Sequence, residues 1–256
     1  MTGPTPEGAD ADAAWAAHPP SPNFPRLPST EHLVVAAVIP TRGDRPEFLR
    51  FCRRQLDRQT RPFQHVFVVD DPPPNPRRAD ITWRYRTGCE RALAKGCHAV
   101  LFWEDDDWYH PTYAEWLLAK WFRLGAPSVF GVGETHYYHL DARRRVHFRH
   151  PRRASAFCTA IHGRFVRDDG VPWPSDTTTN LDLRLWRGTG GGATIPWGGT
   201  IRALGIKHGV GRAGGGWHRA DGRKWVPGDA RPWFEGVVDP EALEFYDALI
   251  ARRGTG

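Results

Sequence analysis

The residues best suited to chemistry lie between Ala99 and Pro111, in the stretch AVLFWEDDDWYHP. An apolar run, Ala99-Val100-Leu101-Phe102-Trp103, is long enough for one buried strand. It delivers Glu104, Asp105, Asp106 and Asp107 where that strand should end. Three consecutive aspartates repel one another unless something cationic sits among them. Hard divalent cations, Mg²⁺ or Mn²⁺, are natural partners of clustered carboxylates, with substrate phosphates completing the shell. A solvated acidic turn is the plain alternative. The aromatic flanks Trp103, Trp108 and Tyr109 favour a partly enclosed, metal-binding site.

The elements that must position these acids can be read on either side. Residues 1–30 are rich in Pro, Ala, Gly and Thr without an apolar period, which predicts a disordered tail. Leu33 to Ile39 is a buried-strand run stopped by Pro40. After a polar loop, Asp44 is placed to cap a helix whose first turn holds Pro46 and Glu47. Phe48, Leu49, Phe51, Cys52 and Leu56 then recur at helical spacing, with Arg50, Arg53, Arg54 and Arg58 outward. His65 to Val69 makes a second strand ending in Asp70-Asp71. Strand, helix, strand with polar carboxyl ends is a βαβ unit of a parallel sheet, and such sheets bind ligands outside those ends.

Ile81 to Lys95 reads as a further helix ended by Gly96, and Pro111 to Phe122 as another ended by Gly125. Tyr137 to Leu140 and Val146 to Phe148 form an antiparallel hairpin, followed by one or two strands in Ala154 to Phe165 and a short helix from Asn180 to Arg187. Residues 188–236 are Gly-, Trp- and Arg-rich with little periodicity, which predicts a long mobile flap. A final helix follows Asp239-Pro240-Glu241.

Composition narrows the partners. The chain has 256 residues, a formal net charge of +6 and a pI near 9.4, favouring an anionic partner. Its 12 tryptophans exceed what a core needs, so some should line surfaces or pockets. Cys52, Cys89, Cys97 and Cys158 form no CxxC pair, which suits a reducing cytoplasm rather than a zinc knuckle or disulfide framework. No apolar run reaches membrane-spanning length, and no basic-then-apolar signal pattern opens the chain. A cytoplasmic location without membrane attachment is the expectation.

VIPTRGDRPEFLRFCRRQLDRQT, then HVFVVDD, then a helix, then VLFWEDDDWYHPTYAEWL resembles a family 2 glycosyltransferase of the GT-A fold. The similarity is good over residues 33–120 and looser over 170–210. It implies a single α/β domain over 31–256. In it, a Rossmann-like mixed sheet is flanked by helices, with an antiparallel acceptor-side hairpin and a C-terminal flap. Residues 31–125 would bind the nucleotide-sugar, and 126–256 the acceptor.

The resemblance also implies roles. Pro40 and Thr41 match the loop approaching the donor nucleotide. Asp70 matches the acid that recognises the base, and Asp71 continues that site. Asp105 and Asp107 match the two acids of the DxD signature, the first near the ribose and the second on the metal, and both are expected among the metal's ligands. The catalytic base is expected in TTTNLDLRLWR as Asp182, with Asp176 as the fallback, because Asn180 and Leu181 replace the usual preceding acid. A further metal ligand is expected from GIKHGVGRAGGGWHR, as His208 or His218. Lys207, Arg212 and Arg219 are placed to meet phosphate oxygens. A UDP-sugar is the family's usual donor, and the reaction would invert the anomeric centre.

Residues 143–153, RRRVHFRHPRR, hold six arginines and two histidines with no acid. Arg143, Arg144, Arg145, Arg149 and Arg152, with Tyr137 to stack or wedge, suit a polyanionic acceptor. DNA bearing a hydroxymethylated pyrimidine such as 5-hydroxymethylcytosine, as made by phages, would supply the hydroxyl that the chemistry needs. A polysaccharide or small-molecule acceptor, a metal-dependent nuclease and a catalytically inactive DNA-binding module are the rivals.

Overall fold

The computed structural model describes residues 32–76, 78–163, 171, 173–178, 181–188, 192–209 and 225–253. The expected tail, 1–30, lies outside them. In chain order the elements are β1 (Val35–Pro40), α1 (Pro46–Asp57), β2 (His65–Val69), α2 (Ile81–Ala94), β3 (Ala99–Phe102), β4 (Trp108–Tyr109), α3 (Tyr113–Arg123), β5 (Val129–Val132), β6 (Glu134–His139), β7 (Arg144–Arg149), a 3₁₀ turn (Ala156–Cys158), β8 (Thr159–His162), α4 (Leu181–Gly188), β9 (Ala193–Ile195), β10 (Ala203–Lys207), α5 (Arg231–Val237) and α6 (Pro240–Arg253).

Two mixed sheets result. The first has strand order β2-β1-β3-β8-β5-β9, and the second β4-β10-β6-β7. β1 lies parallel to both β2 and β3, with Ala37 opposite Val66 on one side and Leu101 on the other. Every residue of β1 and β3 is buried, as continuous apolar runs require in a sheet covered on both faces. β8 then pairs antiparallel to β3 and β5, so the sheet is mixed. In the second sheet β10 runs parallel to β6 and antiparallel to β4, and β6–β7 is the expected hairpin. Strands from the expected donor and acceptor segments share both sheets.

α1 buries Phe48, Phe51, Cys52, Gln55 and Leu56 and exposes Arg50, Arg53 and Arg54, as its spacing predicts. Its cap differs from expectation. Arg45, not Asp44, occupies the N-cap, and no side chain caps the helix. Pro46 at the first helical position needs no N–H partner, and the Arg45 side chain is drawn to the acids described below. α2 lies close on the first sheet at Gly88, where an added Cβ would fall 2.3 Å from Val38 Cγ1.

The expected irregular flap over 188–236 is corrected by β9, β10 and α5. β10 is central to the second sheet. Its neighbour contact explains why it carried little pattern: at Gly205 a Cβ would fall 2.3 Å from the Tyr137 ring, so a glycine interrupts the strand where the aromatic crosses it. The remaining parts, 189–191 and 210–224, lie outside the described residues.

A second apolar cluster joins α1 (Phe48, Phe51) to β10 (Leu204, Ile206), α5 (Phe234) and α6 (Tyr246). It clamps the C-terminal helices beside the ends of β1 and β3. All four cysteines are buried and unpaired with one another. No helix among the described residues is long and apolar enough to cross a membrane.

Candidate active site

The carboxyl ends of β1 and β3 meet the end of β10, and three segments distant in sequence supply the polar groups there. At the end of β1 the Thr41 backbone N–H donates to the Val69 carbonyl at 3.2 Å, tying the loop to the end of β2. The Thr41 hydroxyl donates to Asp105 Oδ2 at 2.9 Å. Arg45 donates to the other oxygen, Asp105 Oδ1, at 2.7 Å, and to Asp106 Oδ2 at 2.8 Å. Asp105 is therefore satisfied on both oxygens and 1% exposed.

Asp106 Oδ2 also lies 2.8 Å from His208 Nε2, at the end of β10. His208 is fully buried, with its ring 4.6 Å from that of Phe48. Asp107 accepts from the Ile206 backbone N–H at Oδ1, 2.7 Å. Its Oδ2 is buried without a hydrogen-bond partner. The backbone is held from outside: Gln55 donates to the Asp107 carbonyl at 2.9 Å, and the Tyr246 hydroxyl to the Asp106 carbonyl at 3.1 Å. The Glu104 N–H donates to the Tyr109 hydroxyl at 3.0 Å. α1 and α6 thus fix the turn in which the acids sit.

The turn decides which acids converge. Glu104, Asp106 and Asp107 each place one carboxylate oxygen within 4.8 Å of the others. Asp105, expected with Asp107 on the metal, is not in this group. It points to Thr41 and Arg45, because β3 ends at Phe102 and the turn that follows, not strand alternation, sets the side-chain directions. The grouped acids are thus offset from the expected Asp105–Asp107 pair, and Glu104 and Asp106 enter.

The electrostatics fit a cation. Burial, then the charge of Asp106, push the Glu104 carboxyl up to about 7. Burial, then Asp106 and Glu104, hold Asp107 well above the usual carboxylate range. Burial would raise Asp106 too, but the His208 hydrogen bond and Arg45 hold it well below that range. Carboxylates that resist ionising side by side, one with a buried unpartnered oxygen, are a donor set suited to a hard divalent ion. Lys207, the last residue of β10, opposes the rise at Glu104 and Asp107, so its charge reaches the cluster. Its ammonium also lies 4.9 Å over the Tyr137 ring.

The other expected donor residues are spread around this centre. Pro40 closes β1 and pairs with Val69 in the register. Asp70 is exposed at the end of β2. Asp71 is tied to Arg91 at 2.7 Å, which holds its carboxyl below the usual range. The buried acid on this side is instead Asp80, paired with Arg42 and, at 2.9 Å, with Arg84, which also donates to the Val69 carbonyl at 2.6 Å. The i,i+4 spacing of Asp80 and Arg84 was the available signal for this pair. For Arg45 there was none beyond its place before Pro46.

Asp182 lies in the first turn of α4 and accepts from Arg153 at 2.6 Å. It is near enough for its charge to help raise the Glu104 carboxyl. Asp176 pairs with Arg86 at 2.9 Å, and its Oδ1 is buried without a hydrogen-bond partner. Arg212 and His218, like Arg219, lie outside the described residues.

The hairpin arginines are largely engaged. Arg143 lies 3.7 Å from Asp229, Arg145 sits 5.0 Å over the Trp233 ring, and Arg149 is 3.2 Å from Glu134. Arg144 is also engaged, and Arg152 is exposed. Tyr137 donates to Ser155 Oγ at 2.9 Å and packs edge-on against Phe148 and Phe157, so its ring is held inward rather than offered for stacking.

No protein-family model matches this sequence, and no curated protein matches it. Solved structures do resemble it. S. aureus TarS, residues 1–349, in complex with UDP-GlcNAc, superposes with a TM-score of 0.52 at 12% identity, over 71% of this chain and 60% of that one. The same protein with UDP gives a TM-score of 0.45 at 11% identity, over 67% and 60%. A197 from STIV gives 0.42 at 11% identity, over 63% and 81%. This chain spans about 60% of the TarS chain. The TarS likeness shows the fold: a GT-A-type glycosyltransferase architecture of two mixed sheets flanked by helices.

Proposed function

We propose that this protein is a metal-dependent, inverting glycosyltransferase that moves a sugar from a nucleotide-sugar, a UDP-sugar, to a hydroxyl group. One observation carries the reading: Glu104, Asp106 and Asp107 converge at the end of β3, with a buried, unpartnered Asp107 oxygen among them. The UDP-GlcNAc bound by TarS in the same fold supports the choice of donor.

Glu104, Asp106 and Asp107 would hold Mn²⁺ or Mg²⁺, with His208 beside them. When bound, such an ion would supply Lewis-acid stabilisation of negative charge on a diphosphate. Lys207 adds a second positive charge on that side. Thr41 and Arg45 hold Asp105 and Asp106 in place, so the site is ordered before the donor arrives. Asp182, oriented by Arg153, takes the proton of the acceptor hydroxyl. The hydroxyl oxygen bonds to the anomeric carbon as that carbon's bond to the diphosphate oxygen breaks. The diphosphate leaves with the electron pair, and direct displacement inverts the centre.

For the acceptor, the basic balance of the chain and the exposed arginines of α1 support DNA carrying 5-hydroxymethylcytosine. A second reading, a polysaccharide or small-molecule acceptor, is favoured by the partners that Arg143, Arg145 and Arg149 already have in Asp229, Trp233 and Glu134.

The test is intact-mass analysis of nucleosides from 5-hydroxymethylcytosine-containing DNA incubated with the protein, Mn²⁺ and mixed nucleotide-sugars, with Asp106→Ala as control. A hexose- or N-acetylhexosamine-sized gain, lost in the control, supports donor, reaction and acceptor together. Release of free nucleoside diphosphate without a gain keeps the glycosyltransferase and removes the DNA. Mn²⁺-dependent strand cleavage without a donor would replace both with a nuclease.

A further inference from the structure

One cation already stands among the acids at the end of β3. Arg45 spreads its guanidinium across two neighbouring carboxylates, donating from Nη2 to Asp105 Oδ1 at 2.7 Å and from Nη1 to Asp106 Oδ2 at 2.8 Å. Its side chain is 14% exposed, and Nη1 also lies 3.3 Å from His208 Nε2. A guanidinium is not deprotonated in proteins, so the cluster carries a positive charge of its own before any ion arrives.

That charge is held on three sides. The Arg45 carbonyl accepts from the Phe48 and Leu49 N–H groups at 3.1 and 3.3 Å, and Pro46 follows as the first residue of α1. The guanidinium carbon sits 5.0 Å over the buried Phe48 ring. Asp105 anchors the far end. Its second oxygen is taken by the Thr41 hydroxyl at 2.9 Å, and it stands apart from the group formed by Glu104, Asp106 and Asp107.

We propose that Arg45 is a fixed counter-charge that makes the acid cluster take its divalent ion together with a diphosphate rather than alone. The proposal rests on the metal-dependent transferase reading and adds how the site discriminates a free ion from one carried by the donor. An ion on Asp106 shares that carboxylate with the guanidinium, and two like charges so placed in a buried site repel strongly. A bare ion is therefore held weakly. A diphosphate brings negative charge that offsets both cations at once, so the penalty falls when it arrives. Asp105 gains a role without touching the ion, because it keeps Arg45 beside Asp106.

The sign of one measurement separates a counter-charge from mere positioning. Removing a residue that only orients a metal-binding carboxylate weakens the ion, whereas removing a competing charge tightens it.

The test is equilibrium dialysis of the full chain against Mn²⁺, with and without UDP, counting bound Mn²⁺ above an Asp106→Ala background. Wild-type should half-fill at a free Mn²⁺ concentration at least about tenfold lower when UDP is present. Without UDP, Arg45→Gln, which keeps a donor for Asp105 but no charge, should bind Mn²⁺ about tenfold more tightly than wild-type. Arg45→Lys, which keeps the charge, should stay within about threefold of wild-type. Arg45→Gln binding equal to or weaker than wild-type would overturn the counter-charge and leave the metal site standing. A wild-type affinity for Mn²⁺ unmoved by UDP would overturn it as well, whether or not the variants fold. No bound Mn²⁺ in any of the proteins, with or without UDP, would overturn the metal-dependent transferase and the counter-charge with it.

Discussion

His208 Nε2 sits 2.8 Å from Asp106 Oδ2 across 102 residues of chain. The contact joins the end of β10 to the end of β3 and fixes one oxygen of Asp106. A residue that orients a metal-binding carboxylate in this way typically changes metal affinity 10–100-fold when removed. His208→Gln should weaken Mn²⁺ binding by about 10–100-fold, read by electron paramagnetic resonance of free Mn²⁺. Unchanged affinity would show that Asp106 needs no such partner.

Asp182→Asn should lower turnover by about 10²–10⁴-fold while the affinity for UDP stays within threefold, since the lost group acts on the acceptor proton. Arg153→Ala, which frees Asp182, should give a smaller loss. Retained turnover in Asp182→Asn would assign the base to Asp176.

His136 is 7% exposed and stacks parallel on His147 at 4.2 Å. Burial, then His147 and Arg145, push its pKa down to about 4. A depressed basic group favours folding above its unfolded value near 6.5 and loses that contribution as pH falls toward 4. Thermal stability should therefore fall between about pH 6.5 and pH 4, and His136→Asn should flatten that part of the profile. An identical slope in the variant would place the titration elsewhere.

Gly88→Ala should destabilise the fold by about 1–3 kcal/mol, because its Cβ would meet Val38 Cγ1 at 2.3 Å and Val69 Cγ2 at 3.1 Å. Urea denaturation measures it. A neutral result would mean that α2 shifts off the sheet without cost.

Much of the fold was legible because it is local. The unbroken apolar runs of β1 and β3, the 3.6-residue spacing in α1, and the glycines at φ +70° (Gly96) and +76° (Gly125) after α2 and α3 are each written in neighbouring residues. β9 and β10 were not legible, because glycines precede the one and interrupt the other, leaving neither an apolar run nor an alternation to read. The Asp44 cap failed for a related reason: the side chain at the start of α1 is set by acids 60 residues away.

By itself, the sequence determined that a buried strand would end in four acids, after a βαβ unit, in a chain with a basic excess. Only the tertiary structure decided which acids face one another. Past the last paired residue of β3, side-chain direction follows a turn held by Gln55, Ile206 and Tyr246, and that turn groups Glu104 with Asp106 and Asp107 while sending Asp105 to Thr41 and Arg45. It also decided which arginines meet acids. Charge is a property of composition, but the acids that fold beside it are set by tertiary structure, as Glu134 and Asp229 are for Arg149 and Arg143 of the hairpin.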